Sequence, residues 1–327
     1  MNQESIFQKR IGYSKNLEQF LETVCTDYDI GKFISHRVAP VGYEDFNFIL
    51  KTSKGKYFVK IFADFRNDKD CQRYINILDK VIKAGVSHPK IYQFQQGGLY
   101  QKVWDGYKFR LTLMEYIDGL SFFEGNLSAT EDEMRYLVNQ TTVINSIDLK
   151  PELIYDSWAI VNFLKEYNQK KTYLKNDDLG LIKPLVKEFK SLAIEKLPHC
   201  FIHGDIIKTN VLKDKEGKLY IIDFSVCNYY PRIQELAVLL CNMLFDEKNP
   251  NTFPKYYKLA LGEYQRIIQL TPQELETLPL FVKLAHAMHI VCGTYEKKAN
   301  QNLTQENDYW INLGKIGLKY TSSWDFK

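Results

Sequence analysis

One short segment, residues 201–226 with the sequence FIHGDIIKTNVLKDKEGKLYIIDFSV, constrains this chain more than any other. Asp205 and Asn210 stand before the first of two apolar arms, DKEG reads as the turn between the arms, and Asp223 ends the second arm. The pattern of two apolar arms around a turn predicts a β-hairpin. Because a hairpin brings its two ends together, we expect Asn210 and Asp223 to lie within reach of one ion.

The residue types at these positions fit one kind of chemistry. A carboxylate and an amide oxygen suit Mg²⁺, which takes few protein ligands and completes its shell with water and phosphate oxygens. Asp205, held nearby but off the metal, could accept or orient the proton of a substrate hydroxyl. The spacing Asp-x4-Asn followed by Asp-Phe matches the catalytic pattern of kinases. The segment therefore predicts phosphoryl transfer, with Asp205 as the catalytic residue and Asn210 and Asp223 as metal ligands.

The composition indicates an ordinary globular protein. Of the 327 residues, 45% are apolar and 25% are charged, and the net charge is +3. The basic residues are spread along the chain, so we expect no nucleic-acid partner. We find neither an N-terminal signal pattern nor an uninterrupted apolar run of about 18 residues, and we expect no membrane span. Scattered single cysteines without a CxxC pair predict reduced thiols and a cytoplasmic location. We expect a monomer or homodimer.

The periodicity of the sequence divides the chain into two parts. A helix at 14–27 and a helix at 68–85 accompany strands expected at 36–50, 56–63, 90–94, 98–104 and 107–116. Helical patterns then follow at 130–147, 156–172, 178–195, 232–246, 253–268, 272–298 and 304–318. This order predicts an α+β protein with a small β-rich lobe at 1–117 and a larger helical lobe at 118–327 that contains the hairpin. Two such lobes would leave a cleft between them.

Several stretches carry a family resemblance that covers most of the chain. HGDIIKTNVL followed by IIDFSV resembles the aminoglycoside phosphotransferase, choline kinase and homoserine kinase superfamily, small-molecule relatives of the protein kinases. VGYEDFNFIL and KYFVKIF resemble the first strands of that family, MEYIDG its hinge, and IDFSVCNYYPRIQELAVLL the segment after its metal aspartate. GYEDFNF is most similar to the homoserine-kinase-like branch. The resemblance implies a protein-kinase-like two-lobed fold that uses ATP and Mg²⁺.

The resemblance also implies roles for residues outside the hairpin. Lys60 would reach the α- and β-phosphates of ATP, and the segment from Gly42 to Asn47 would cover the phosphates. Backbone groups from Glu115 to Ile117 would meet adenine. His203 would brace the catalytic loop. The acceptor would be the hydroxyl of a small molecule, for which we weigh an amino alcohol or a homoserine- or choline-like metabolite.

Four departures separate the chain from protein kinases and from the usual family pattern. The GxGxxG loop is absent, and Asp-Phe is followed by Ser225 instead of glycine. No glutamate stands near Tyr74, where an active kinase pairs its lysine with a helix glutamate. Glu235 stands where the family generally has aspartate. The first two departures indicate that the chain is not a protein kinase, and the missing glutamate and Glu235 bear on the rate more than on the reaction.

Other readings stay open at this stage. The chain could be an aminoglycoside resistance enzyme, or a nucleotide-binding protein without turnover. His286, His289 and Cys292 have helical spacing and could form a zinc site, although core packing or pocket lining is favoured. An amine-binding role for Glu274, Glu276, Tyr295 and Trp310 is weighed against a solvated helix face and ordinary packing. Lys208 could touch a phosphate or face solvent.

Overall fold

The computed structural model of the chain describes residues 8–39, 45–95 and 97–326. In these residues the α-helices are α1 (Glu18–Asp27), α2 (Asp68–Lys83), α3 (Glu131–Asn145), α4 (Phe163–Lys170), α5 (Asn176–Lys190), α6 (Arg232–Asn242), α7 (Phe253–Gln265), α8 (Pro272–Lys298) and α9 (Gln305–Ser323). The strands are β1 (Phe33–Val38), β2 (Phe46–Thr52), β3 (Gly55–Ile61), β4 (Ile91–Tyr92), β5 (Tyr100–Trp104), β6 (Tyr107–Glu115), β7 (Gly119–Ser121), β8 (His199–Ile202), β9 (Val211–Asp214), β10 (Leu219–Ile221) and β11 (Asn228–Pro231).

The chain forms two compact units. The first, here called the sheet unit, comprises the described parts of Met1–Lys83, Ser87–Leu120 and Leu212–Ile222. The second, the helical unit, comprises Ala84–Val86, Ser121–Val211 and Asp223–Lys327 as far as they are described. Helices and strands therefore segregate, which is the mixed α+β class that the sequence predicts.

An antiparallel sheet forms the sheet unit, in the order β1-β2-β3-β6-β4 with β5 paired to β6. The tight turn after Thr52 sets the register of β2 on β3, so that Asn47 lies opposite Lys60. One face of the sheet packs on α1, whose apolar residues recur at helical spacing and are buried. Phe20 of α1 stacks on Phe109 with ring centroids 4.0 Å apart. This packing gives the unit its own apolar core.

The predicted hairpin is present as β9 and β10, with Gly217 at a positive φ of 88° in the turn. By their contacts, Leu212–Ile222 group with the sheet unit. Hydrogen bonds explain the grouping: Ile221 N donates to Ser87 O at 2.7 Å, and Ser87 Oγ donates to Leu219 O at 2.6 Å. The division of the chain into domains at residues 117 and 118 stays a prediction.

Helices α8 and α9 pack closely at the centre of the helical unit. Glycines permit the close approach, because a Cβ on Gly314 would lie 2.6 Å from His286 O. By length and composition α8 could cross a membrane, but 72% of its most apolar 18-residue window is buried inside the protein. Core helices of globular proteins have this composition, so α8 is described here as a core helix.

The structure differs from the expected elements in three places. The strand expected at 36–50 is two antiparallel neighbours, β1 and β2. The helix expected at 156–172 begins only with a 3₁₀ turn at Ile160, since Asp156 Oδ1 accepts from Trp158 N and forms a turn there instead. Strands β8 and β11 pair with each other and have no counterpart in the prediction. Such short strands carry too few residues for a periodic signal.

Candidate active site

The loop between β8 and β9 carries the predicted catalytic residue, and α6 fixes that loop. The backbone N–H groups of His203 and Gly204 both donate to the carboxylate of Glu235 on α6. Gly204 has a positive φ of 82°, a conformation that favours glycine. Glu235 is fully buried, and burial raises its pKa to about 7, an effect opposed by the two N–H donors. The departure from aspartate at position 235 therefore leaves the loop anchored.

His203 braces the same loop from inside. Its Nδ1 accepts a hydrogen bond from Asp205 N at 3.1 Å. Its buried ring lies 4.3 Å, centroid to centroid, from the ring of Phe224, the residue after Asp223. His203 thus contacts both segments that carry the predicted site residues, as the resemblance implies.

Asp205 and Asn210 are in direct contact. Asn210 Nδ2 donates to Asp205 Oδ2 at 2.7 Å and to Asp205 O at 3.0 Å. The backbone turns tightly between them, with Asn210 N donating to Ile207 O at 2.9 Å. With its amide nitrogen committed to Asp205, Asn210 keeps its amide oxygen, the type of atom that binds Mg²⁺, for another partner.

Asp223 lies near this pair at the end of β10. It has a positive φ of 66°, which is uncommon for a residue with a side chain and often marks a functional position. Burial, the largest cause, and the carboxylates of Asp156 and Asp223 together raise the pKa of Asp205 to about 8, and the hydrogen bond from Asn210 opposes the rise. A site with this much negative charge fits a divalent cation, and Asn210 and Asp223 could supply hard oxygen ligands.

Two further carboxylates interact electrostatically with Asp205, and neither was predicted from the sequence. Asp156 and Glu306 both raise its pKa. Asp156 lies in the turn before α4, and Glu306 lies in the first turn of α9. Neither belongs to a local motif, so no signal in the sequence could have placed them beside Asp205.

Aromatic rings line the same region. Trp158 follows Asp156 closely, and Trp310 Nε1 donates to Glu306 Oε1 at 3.3 Å. The ring of His289 stacks on Trp310 with centroids 5.2 Å apart, and it lies 6.1 Å from the ring of Trp158. The aromatic set and the carboxylates of Asp156 and Glu306 together are called the acceptor region below.

Lys208 is 8% exposed and does not face solvent. Its Nζ lies 3.6 Å from Glu247 Oε2 and 5.2 Å from the ring centroid of Tyr309. Its cation is thus held by a carboxylate and an aromatic face.

The three residues of the proposed zinc pattern have separate partners. His286 Nδ1 lies 3.1 Å from Cys241 Sγ, His289 Nε2 lies 2.8 Å from Asn242 Oδ1, and Cys292 Sγ donates to Ser157 O at 3.2 Å. Burial lowers the pKa of His286 to about 3 and that of His289 to about 4, so both rings are neutral. Among residues 8–39, 45–95 and 97–326, no three His, Cys, Asp or Glu side chains form a group that could hold a metal ion.

The four residues considered for amine binding have different surroundings in the structure. Glu274 is buried, caps α8 and binds Arg232 through both oxygens, at 2.6 and 2.7 Å. The interpretation of Glu274 as part of a solvated helix face is therefore wrong, whereas Glu276 is exposed as that interpretation expects. Tyr295 packs on Tyr173 with centroids 5.2 Å apart. Trp310 alone of this group lies in the acceptor region.

Lys60, the predicted phosphate-binding lysine, is buried in the sheet unit. Its Nζ lies 3.1 Å from Asp45 Oδ2 and 5.3 Å from the ring centroid of Tyr74. Asn47 is buried opposite Lys60 on β2. Gly42 lies outside the described residues.

The segment expected to meet adenine follows β6. Glu115 N donates to Lys90 O at 2.8 Å, and Ile117 O accepts from Gly119 N at 3.0 Å. These contacts fix the segment and use two of its backbone groups. The N–H of Ile117 donates to no other group in the described parts of the chain, so it could serve a ligand.

The fold and the site define a class of protein: a phosphotransferase with Asp205, Asn210 and Asp223 grouped at a braced loop. The family model for the phosphotransferase enzyme family matches residues 35–270. The homoserine kinase of Parvibaculum lavamentivorans is 23% identical over 296 residues, which are 87% of each chain.

Two solved structures show the fold. The amicoumacin kinase hAmiN, in complex with AMP-PNP, Ca²⁺ and Ami, aligns with a TM-score of 0.66 at 17% identity over 100% of this chain and 99% of its own. The choline kinase LicA from Streptococcus pneumoniae aligns with a TM-score of 0.59 at 16% identity over 95% of this chain and 100% of its own. The chain therefore belongs to the phosphotransferase enzyme family. It has the kinase-like fold that the sequence predicts, and it is a small-molecule kinase.

Proposed function

We propose that this protein transfers the γ-phosphoryl group of ATP, with Mg²⁺, to a hydroxyl of a small molecule that carries an amine. The single observation that supports this proposal most strongly is the contact of Asn210 with Asp205 beside Asp223. This arrangement offers a hydroxyl-orienting carboxylate and a hard-oxygen ligand pair in one place. Phosphoryl transfer depends on positioning and electrostatic stabilisation, and these groups supply both.

Each residue has a defined task in this reaction. Asp205 accepts or orients the proton of the acceptor hydroxyl, which aligns the oxygen as the nucleophile. Asn210 and Asp223 hold Mg²⁺, which neutralises charge on the phosphates when it is bound. Burial and neighbouring carboxylates raise the pKa of Asp205, which makes its ionised carboxylate more basic.

The remaining residues of the site bind the nucleotide. Lys60 binds its phosphates, and the Gly42 to Asn47 segment covers them. Backbone groups from Glu115 to Ile117 bind adenine, and the uncommitted N–H of Ile117 supports this role. The ion pair with Asp45 gives Lys60 a buried carboxylate partner although helix α2 has no glutamate, which supports an enzyme with turnover.

The acceptor region favours a cationic acceptor. Asp156 and Glu306 add negative charge to the surroundings of Asp205, and the half-buried ring of Trp158 adds an aromatic face that attracts ammonium groups. Homoserine and choline, the substrates in the names of the similar kinases, each combine a hydroxyl with a nitrogen cation. We infer an amino alcohol or a hydroxy amino acid as the substrate class. We also infer a cytoplasmic enzyme, monomeric or homodimeric, that uses no nucleic acid or membrane partner.

A substrate panel tests the proposal. The purified protein is assayed for ADP release with Mg·ATP and amino alcohols, homoserine, neutral sugars, aminoglycosides and amicoumacin. Asp205→Asn serves as the inactive comparison, and Asp148→Asn, a change at an exposed aspartate of the same unit, serves as the matched control. Turnover restricted to amine-bearing metabolites supports the proposal. Turnover of antibiotics alone makes the protein a resistance enzyme, and no turnover with any acceptor overturns the enzymatic function.

A further inference from the structure

The partner of Lys60 lies in an unexpected part of the fold. In an active kinase, the phosphate-binding lysine forms an ion pair with a carboxylate on the neighbouring helix. Here helix α2 presents Tyr74 to Lys60, with the ammonium 5.3 Å from the ring centroid. A tyrosine ring attracts a cation but gives it neither full charge compensation nor a fixed hydrogen-bond direction.

Asp45, just before β2, supplies the carboxylate. Its Oδ2 lies 3.1 Å from Lys60 Nζ, and the two side chains are only 4% and 6% exposed. Its Oδ1 accepts from Ala63 N at 2.9 Å and from Arg66 Nε at 3.1 Å. Both oxygens are therefore engaged, which fixes the orientation of the carboxylate.

The register of the sheet explains this contact. Asn47 lies opposite Lys60, so the two side chains share one face of the β2–β3 pair. Asp45 precedes Asn47 by two residues, and side chains two residues apart along an extended chain point to the same face. Asp45 thus reaches Lys60 diagonally across the strands.

We propose that Asp45 is the positioning residue for Lys60, replacing the helix carboxylate, and that it orders the lysine for the phosphates of ATP. The proposal rests on the proposed function, because it presumes that Lys60 binds the nucleotide. A buried carboxylate held on both oxygens keeps the ammonium in one place before the ligand arrives. The nucleotide then binds a cation that is already ordered, so less binding free energy is lost in ordering the site.

A purely structural role for Asp45 makes different predictions. If the carboxylate only neutralises the buried cations Lys60 and Arg66, any negative charge at position 45 keeps the protein stable and functional. If Asp45 positions Lys60, the location of the charge matters as well. Asp45→Glu separates the two roles, because it keeps the charge and moves it by one methylene.

The experiment measures Mg·ATP affinity by calorimetry, together with the melting temperature of each variant without ligand. We expect Asp45→Glu and Asp45→Asn each to weaken Mg·ATP binding by about tenfold or more, since a charge-assisted contact is lost or displaced. Asp64→Asn is the matched control in the same unit, where Asp64 accepts from Tyr107 Oη at 3.1 Å. Wild-type affinity in Asp45→Glu, whatever its melting temperature, would overturn the proposal.

Two combined variants test whether Asp45 acts through Lys60. In a Lys60→Met background, Asp45→Asn should cause no further loss of Mg·ATP affinity. Tyr74→Glu should restore affinity to the Asp45→Asn protein by returning the carboxylate to the helix. A further loss in the first case, or no recovery in a folded protein in the second, would contradict the proposal.

The readout keeps the two proposals apart. Nucleotide affinity is measured without an acceptor, so failure of the acceptor reaction counts against the proposed function alone. Equal Mg·ATP affinity in the wild type and the Asp45 variants counts against the role of Asp45 alone.

Discussion

The side-chain amide of Asn210 donates to Oδ2 of Asp205 at 2.7 Å, which ties the hydroxyl-orienting carboxylate to a metal-ligand candidate. This single contact sets the position of both groups, because a hydrogen bond to an oriented amide leaves the amide oxygen on the opposite side. Asparagine at position 205 would keep an oxygen that can accept this hydrogen bond, so Asn210 should stay in place in that variant. Turnover and metal affinity must be measured separately for each variant.

Asp205→Asn should abolish turnover and leave Mg·ATP binding intact. Loss of a general base typically lowers kcat by about 10²–10⁴-fold, and asparagine keeps the shape of the site. Steady-state ADP release gives kcat, and calorimetry gives nucleotide affinity. Asp148→Asn should match the wild type in both. Near-normal turnover in Asp205→Asn would show that another group handles the hydroxyl.

Asp223→Ala should weaken Mg·ATP binding itself, by at least about tenfold, because the charged metal ligand is lost. Asn210→Ala should cause a smaller loss, since the amide is a neutral ligand. The measurement is a Mg²⁺ titration at fixed ATP, followed by thermal shift. Unchanged Mg²⁺ dependence in Asp223→Ala would rule out its role as a ligand.

Asp156→Asn and Glu306→Gln should raise the KM for the acceptor by about tenfold and leave the KM for ATP nearly unchanged. The reason is the loss of a carboxylate that attracts a cationic acceptor. Asp308→Asn is the matched control on α9, where the exposed Asp308 pairs with Lys297 at 2.5 Å. An increase in the KM for ATP alone would place these carboxylates on the nucleotide side of the reaction.

Glu235→Gln should change the pH dependence of stability. Burial raises the pKa of Glu235 from 4.5 to about 7 in the fold, so the folded protein holds this proton more tightly than the unfolded chain between those values. The stability of the wild type should then fall as pH rises through this window, whereas glutamine does not titrate. The free energy of unfolding of Glu235→Gln, relative to the wild type, should therefore increase between about pH 5 and pH 8.

Denaturant unfolding at both pH values measures this difference. Glu216→Gln, a change at an exposed residue of the hairpin turn, should show no such trend. A relative stability of Glu235→Gln that falls with pH would mean that ionised Glu235 is the preferred acceptor of the N–H groups of His203 and Gly204.

Gly317→Ala should destabilise the protein by about 1–3 kcal/mol or more, through overpacking. A Cβ at Gly317 on α9 would lie 2.1 Å from Cε1 of His286, and the rigid ring is fully buried on α8. Gly180→Ala on α5, where nothing lies within 4 Å of the added carbon, should instead add about 0.5–1 kcal/mol. Denaturant unfolding of both variants checks the contrast, and equal effects would show that α8 and α9 can separate without cost.

The local part of the site was readable from the sequence. Asp205, Asn210 and Asp223 flank one hairpin, and a hairpin is set by its turn and its two apolar arms. The structure places Asp205 and Asn210 in contact, whereas a shared site with Asp223 and the roles of all three residues stay predictions. The kinase-like α+β fold followed from a resemblance that spans most of the chain, and it is confirmed.

The contacts that the site makes between distant parts of the chain could not be predicted from the sequence. A partner of Lys60 was expected on helix α2. The sequence did not indicate Asp45, because its pairing with Lys60 depends on the β2–β3 register. The sequence also did not indicate Asp156 and Glu306, which lie in a turn and a helix far along the chain from Asp205.

The sequence by itself determined the chemistry at the catalytic loop, because the residues that carry it lie close together along the chain. The tertiary structure alone decided which charges stabilise Lys60 and which surround Asp205. Contacts between distant segments depend on strand register and helix packing. Those are properties of the whole buried core, which no short stretch of sequence encodes.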